Sequence, residues 1–167
     1  MSDDILGQIK KRFATSVESS FSFLETSFAF SKCGIQELDL SDIRDATLHY
    51  RFLLERVQVE VRLSLAILQP GVYIRQFERR AECDVDNAPT RVIVLEQFAL
   101  SHGLVPKPPL PWMRTLTFYD EAAKSYRRLS KNMSLHLEEA IAYLGKLLMA
   151  LTPDLLAELQ ANGNSPT

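Results

Sequence analysis

The chain has 167 residues, enough for one domain to bury its own core, and 46% hydrophobic with 24% charged residues is the composition of a folded globular protein. A formal charge of −2 disfavours a nucleic-acid backbone or an anionic membrane as the main partner. No uninterrupted apolar run approaches the roughly 20 residues that span a bilayer.

The first element is an amphipathic helix. Ser2 suits an N-cap and Asp3 and Asp4 suit the first turn, where carboxylates complement the helix dipole. Ile5, Leu6, Ile9, Phe13, Val17, Phe21, Leu24 and Phe28 then recur at helical spacing and share one arc. The segment FSFLETSFAF, which carries four of the nine phenylalanines, is the end of that stripe, with Phe30 just beyond it. Its first role is to anchor a core. A second reading places an apolar ligand pocket between this helix and a sheet, lined by Phe21, Phe28 and Phe30.

KCGIQELDLSD, residues 32 to 42, reads as a connection. Ala46, Leu48, Tyr50 and Phe52 then alternate with Thr47, His49 and Arg51, and Val57, Val59, Val61, Leu63 and Leu65 alternate with Gln58, Glu60, Arg62 and Ser64. Period two with β-branched residues means strands, and the short gap at Glu55 makes them an antiparallel hairpin. Gln69-Pro70-Gly71-Val72 fits a type II turn, and GVYIRQFE supplies a third strand. RRAECDVDNAP, residues 79 to 89, is a polar loop. Thr90 to Ser101 reads as a helix closed by Gly103, although RVIVL alone is equally a strand.

VPKPPLPW must be extended, and we read it as a stiff linker carrying Trp112 rather than as a PxxP ligand. Thr117-Phe118-Tyr119-Asp120 matches a capping box. A stripe from Tyr119 to Leu151 follows, with a break expected near Ser130–Ser134. Thr152-Pro153 then restarts a short helix that ends at Asn162-Gly163. The expected fold is α+β: an N-terminal helix and C-terminal helices packed on an antiparallel meander of three to four strands. One domain covers 1–161, and 162–167 form a tail.

Chemistry-bearing motifs are scarce. His49, His102 and His136 have no second ligand at metal-site spacing, and His136 with Glu139 lacks the further carboxylates of a di-metal bundle. No phosphate-cradling glycine loop and no GxSxG occurs. No cofactor, metal or catalytic residue is therefore expected. Cys33 and Cys83 show no CxxC spacing and read as buried or idle thiols of a reducing compartment, with a disulfide left open. The N-terminus MSDDILGQIKKRF lacks a signal peptide's basic head and apolar body, and the expected location is the cytoplasm.

Two surfaces stand out. Lys124, Arg127, Arg128 and Lys131 share one helix face, most simply a solvated one. The outward face of the meander gathers His49, Arg51, Glu60, Arg62, Tyr73 and Arg75, an arginine- and aromatic-bearing composition found in protein interfaces. These six are the candidate interaction residues, with a protein partner expected and a homodimer left open.

The order of elements, with FSFLETSFAF on the first helix and HYRFLLERVQVEVRL and GVYIRQFE in the meander, resembles small bacterial α+β proteins similar to the immunity proteins of polymorphic toxins. The similarity spans roughly residues 13 to 150. It implies a stoichiometric binder that inhibits by contact and performs no chemistry. No site motif accompanies it, so no functional residue carries over.

Overall fold

The computed structural model describes residues 3–38, 46–65, 69–83, 87–104 and 122–163, without the side chains of 3–6, 38, 69, 122–136 and 161–163. The fold is α+β. Helix α1 (Asp3–Ser20) and helix α2 (Ser22–Phe28) are the expected amphipathic stripe, broken at Phe21, whose φ of −112° and ψ of 11° leave the helical region. Ala29 ends α2 in the left-handed region at φ 61°, and the Phe30 amide donates to the Leu24 carbonyl to close the turn.

Five strands follow: β1 (Ser31–Leu38), β2 (Thr47–Leu54), β3 (Val57–Ser64), β4 (Gln69–Gln76) and β5 (Arg91–Val94). They form one antiparallel sheet in the order β1-β2-β3-β4-β5, a meander as expected, with one strand beyond the expected three to four. Residues 31–38 are thus an edge strand and not a connection. Pairing shifts between Lys32 and Gly34, and Gly34 takes φ 81°, a bulge that a side chain would strain.

Gln69 to Gly71 do not form the expected turn but already pair with Ser64 to Arg62 inside β4. Pro70 is tolerated there because β5 pairs with β4 only from Tyr73 onward, so no neighbouring strand asks for its missing N–H. The 91–101 ambiguity resolves into both answers: β5 runs straight into helix α3 (Leu95–Ser101).

Helix α4 (Ala122–Gly163) is continuous for 42 residues, through the break expected near 130–134 and through Pro153. Pro153 is solvent-exposed, and the Thr152 hydroxyl donates to the Leu148 carbonyl at 2.6 Å, so the ladder's missing bond falls on the wet side. The capping box at 117–120, the proline-rich segment and the side chains of the Lys124–Lys131 stripe and of His136 lie outside the described residues.

The core lies between one sheet face and the helices. Ile9, Phe13 and Val17 of α1 meet Leu48, Tyr50 and Phe52 of β2, Val59 and Val61 of β3, and Leu137, Ile141, Leu144 and Leu148 of α4. Gly145 lets α1 and α4 touch: a Cβ there would sit 2.6 Å from the Ser20 carbonyl oxygen. The phenylalanine cluster is core, as Phe21 stacks on Phe52 at 6.3 Å and on Phe23 at 6.2 Å. Phe21 and Phe30 are buried in the core, and Phe28 packs half-buried against it.

Residues Leu137–Gln160 have a mean hydropathy of 1.4 over a window long enough to cross a membrane, although the sequence holds no unbroken apolar run. The apolar side of this stretch, including Leu144, Leu151, Leu155 and Leu159, is buried in the core.

Candidate functional site

The sheet's other face is where alternation sends the polar half of each strand. Register puts Arg51 directly opposite Glu60, His49 opposite Arg62 and Glu60 opposite Tyr73, with Arg75 opposite Gln58. All six sequence-derived candidates therefore share one face and one neighbourhood.

Glu60 is the centre. It is fully buried, and five nitrogens lie within hydrogen-bonding range of its two oxygens. Arg62 donates through Nε at 3.1 Å and Nη2 at 2.8 Å to Oε1. Arg51 Nε at 2.9 Å and Arg75 Nη1 at 2.8 Å donate to Oε2. His49 Nδ1 lies 2.9 Å from the same oxygen but off a straight N–H···O line, so that contact is chiefly electrostatic. On its other side, His49 Nε2 meets the Thr47 hydroxyl at 2.6 Å.

Burial alone would push the Glu60 carboxyl up. The His49 ring against it, followed by the Arg75 and Arg62 charges, outweighs burial and holds it well below the usual carboxylate range. Glu60 is therefore an ionised group with its acceptor positions filled.

The cluster is covered from one side by the segment after β4. The Phe77 amide donates to the Arg56 carbonyl and the Ala81 amide to the Glu55 carbonyl, which carries the chain past the β2–β3 hairpin end. Cys83 then forms a disulfide with Cys33 at the β1 bulge. This corrects the expectation of idle thiols. The Cys83 carbonyl accepts from Arg51 Nη1 at 3.0 Å and from Gln36 Nε2 at 3.1 Å, and Gln36 Oε1 accepts from the same Arg51 nitrogen.

These contacts divide the six candidates. His49, Arg51 and Glu60 were expected on an open surface, but they are interior, with Arg51 only 7% exposed. Arg62, Tyr73 and Arg75 form the accessible rim: the Arg62 and Arg75 side chains are 32% and 19% exposed, and Arg62 Cζ stacks 4.8 Å from the centroid of the Tyr73 ring. Beside Tyr73 a half-open cavity of about 220 Å³ is lined by Arg62, Ser64, Pro70, Gly71, Val72, Tyr73, Val94 and Glu96.

The cavity exists because β5 is short. Where the chain turns from Val94 into α3, the edge of β4 at Pro70 to Val72 loses its neighbour. Gly71 leaves room there for the Tyr73 ring, which a Cβ would approach to 3.2 Å.

No family model, no curated protein and no solved structure matches this chain. The site must be judged on its own chemistry. No group of His, Cys, Asp and Glu suited to a metal occurs among the described residues. His102, exposed at the end of α3, rests on the Phe98 ring with centroids 4.0 Å apart and bonds through Nδ1 to the Phe98 carbonyl.

Alternation placed Gln58 on this face without making it a candidate, and Gln36, the Cys83 carbonyl, Gly71 and Glu96 were missed. The direct opposition of Arg51 and Glu60 was the available signal for the buried pair. The disulfide left none, because its cysteines stand 50 residues apart.

Proposed function

We propose that the protein is a non-enzymatic interaction module, an immunity-like inhibitor or an adaptor, that works by contact with a protein partner through the Arg62–Tyr73–Arg75 rim. The observation that carries this reading is the Arg62 guanidinium stacked on Tyr73 while its inner edge is clamped by Glu60. Arginine and tyrosine supply the contacts that cost most to truncate in interfaces, and a side chain already held in place loses little freedom on binding. Val92, 50% exposed and opposite Arg75, adds an apolar border to the rim.

The compartment belongs to this proposal as well. A disulfide persists in oxidising compartments and is rare in the cytosol, so the Cys33–Cys83 bridge weighs against the cytoplasmic expectation, which rested partly on reduced thiols.

The test is capture from the native lysate with tagged wild type and Tyr73→Ala, with bound proteins quantified by mass spectrometry. Tyr73 is half-buried and makes no ion pair with Glu60, so its truncation should lower the melting temperature far less than loss of a cluster charge would. One protein held in near-equal amount by the wild type and lost with Tyr73→Ala supports the reading. Equal recovery on both baits removes this face from consideration.

A further inference from the structure

Among the described residues, the charge on the outer face does not balance. Three guanidinium groups surround one carboxylate, an excess of two positive charges around Glu60, of which the nearby Glu96 offsets at most one, in a chain whose formal charge is −2. Glu60 has no acceptor capacity left to offer. Arg51 is buried, with Nε on Glu60 and Nη1 on Gln36 and Cys83. Arg62 and Arg75 differ from it. Arg62 commits Nε and Nη2 inward, Arg75 commits only Nη1, and both side chains reach solvent.

A guanidinium held by one edge presents its remaining donors as a fork, which pairs best with a planar carboxylate. The cavity beside Tyr73 cannot seat that carboxylate, because Glu96 lines it. Pro70 and Val72 alternate onto the core side and border the cavity along the strand edge, while Val94 and the Tyr73 ring share its face and suit an apolar side chain.

Resting on the interaction reading above, we infer that the rim recognises an acidic side chain of a protein partner, seated on the outward edges of Arg62 and Arg75, with an apolar neighbour entering the cavity beside Tyr73. Glu60 is then a positioning residue. It fixes the two forks, and it offsets only part of their charge, so they arrive aligned for a second carboxylate.

The probe is an end-blocked hexaglutamate peptide, titrated into the labelled full chain at fixed ionic strength while the arginine Nε–H signals are followed by NMR. Hexaglutamine and free glutarate are the comparison probes. The expected result is a saturable shift of Arg62 and Arg75 with hexaglutamate, none with hexaglutamine, and affinity for glutarate at least tenfold weaker. Arg75→Gln and the charge-retaining Arg75→Lys should each weaken the peptide tenfold or more.

Exposed Arg56 and Arg79 serve as internal references. If they shift as much as Arg62, the binding is diffuse electrostatics and the inference falls. It also falls if no signal saturates, or if glutarate binds as tightly as the peptide, since the site would then take a free dicarboxylate. A failed titration alongside a Tyr73-dependent captured partner would leave the interaction reading intact and remove only the acidic seat.

Discussion

Replacing Glu60 with Gln keeps the shape of the side chain and removes its charge. In the native protein this carboxylate has zero exposure and takes donors from Arg51, Arg62 and Arg75 with His49 alongside. The amide can accept at one oxygen, but its NH2 group would face donors. Breaking a buried ion pair by removing one partner costs about 3–5 kcal/mol. Arg62 and Arg75 can swing toward solvent and Arg51 cannot, so the lower end, about 3 kcal/mol, applies.

For a chain of this size each kcal/mol moves the melting temperature by about 2–4 °C, which gives a drop of about 6–12 °C. Differential scanning calorimetry at pH 7 reads it directly. Adding Arg51→Met to Glu60→Gln should recover part of the loss, because the stranded buried charge is then gone. A Glu60→Gln variant melting within 2 °C of wild type would mean that Glu60 does not hold the cluster together.

Acid should act on the same group. Its folded-state pKa lies below the unfolded value of about 4.3, so its stabilisation is complete above that value and is lost as pH falls toward the folded one. The stability gap between wild type and Glu60→Gln should therefore be constant from pH 8 to 6 and narrow below pH 5 in calorimetry; a gap that widens on acidification would contradict it. Opening the Cys33–Cys83 bridge, by reduction or with Cys33→Ala/Cys83→Ala, releases a loop of 50 residues and should cost about 4 kcal/mol on the chain-entropy estimate, seen as a lower urea midpoint. Gly145→Ala gains helix propensity but drives a methyl into the Ser20 carbonyl, and the net should be a loss of about 1–2 kcal/mol by denaturant titration.

The sequence made the inner sheet face legible, and with it the grouping of the site. Alternation from Ala46 to Leu65 put Leu48, Tyr50 and Phe52 with Val57, Val59 and Val61, and the same periodicity forced His49, Arg51, Glu60 and Arg62 together on the opposite side. Alternation does not say whether that second face is covered. It was read as a surface, yet the disulfide-tethered segment after β4 and the interlocking arginine stems close over Glu60.

β1 was missed because an edge strand needs little apolar content, and Ile35 is nearly its only hydrophobic residue besides Leu38. The unbroken α4 was missed for a different reason. Pro153 is a strong local stop signal, overridden because Leu148, Leu151, Leu155 and Leu159 on both sides of it bury against the same core.

The most direct test of the site is the ionisation of Glu60 itself, read from its side-chain carboxyl carbon by NMR between pH 7 and pH 2. The expected signal keeps its ionised shift below pH 3. A Glu60 signal that titrates at the unperturbed glutamate value of about 4.3 would mean that the arginines and His49 do not hold its charge, and the rim built on it would lose its support.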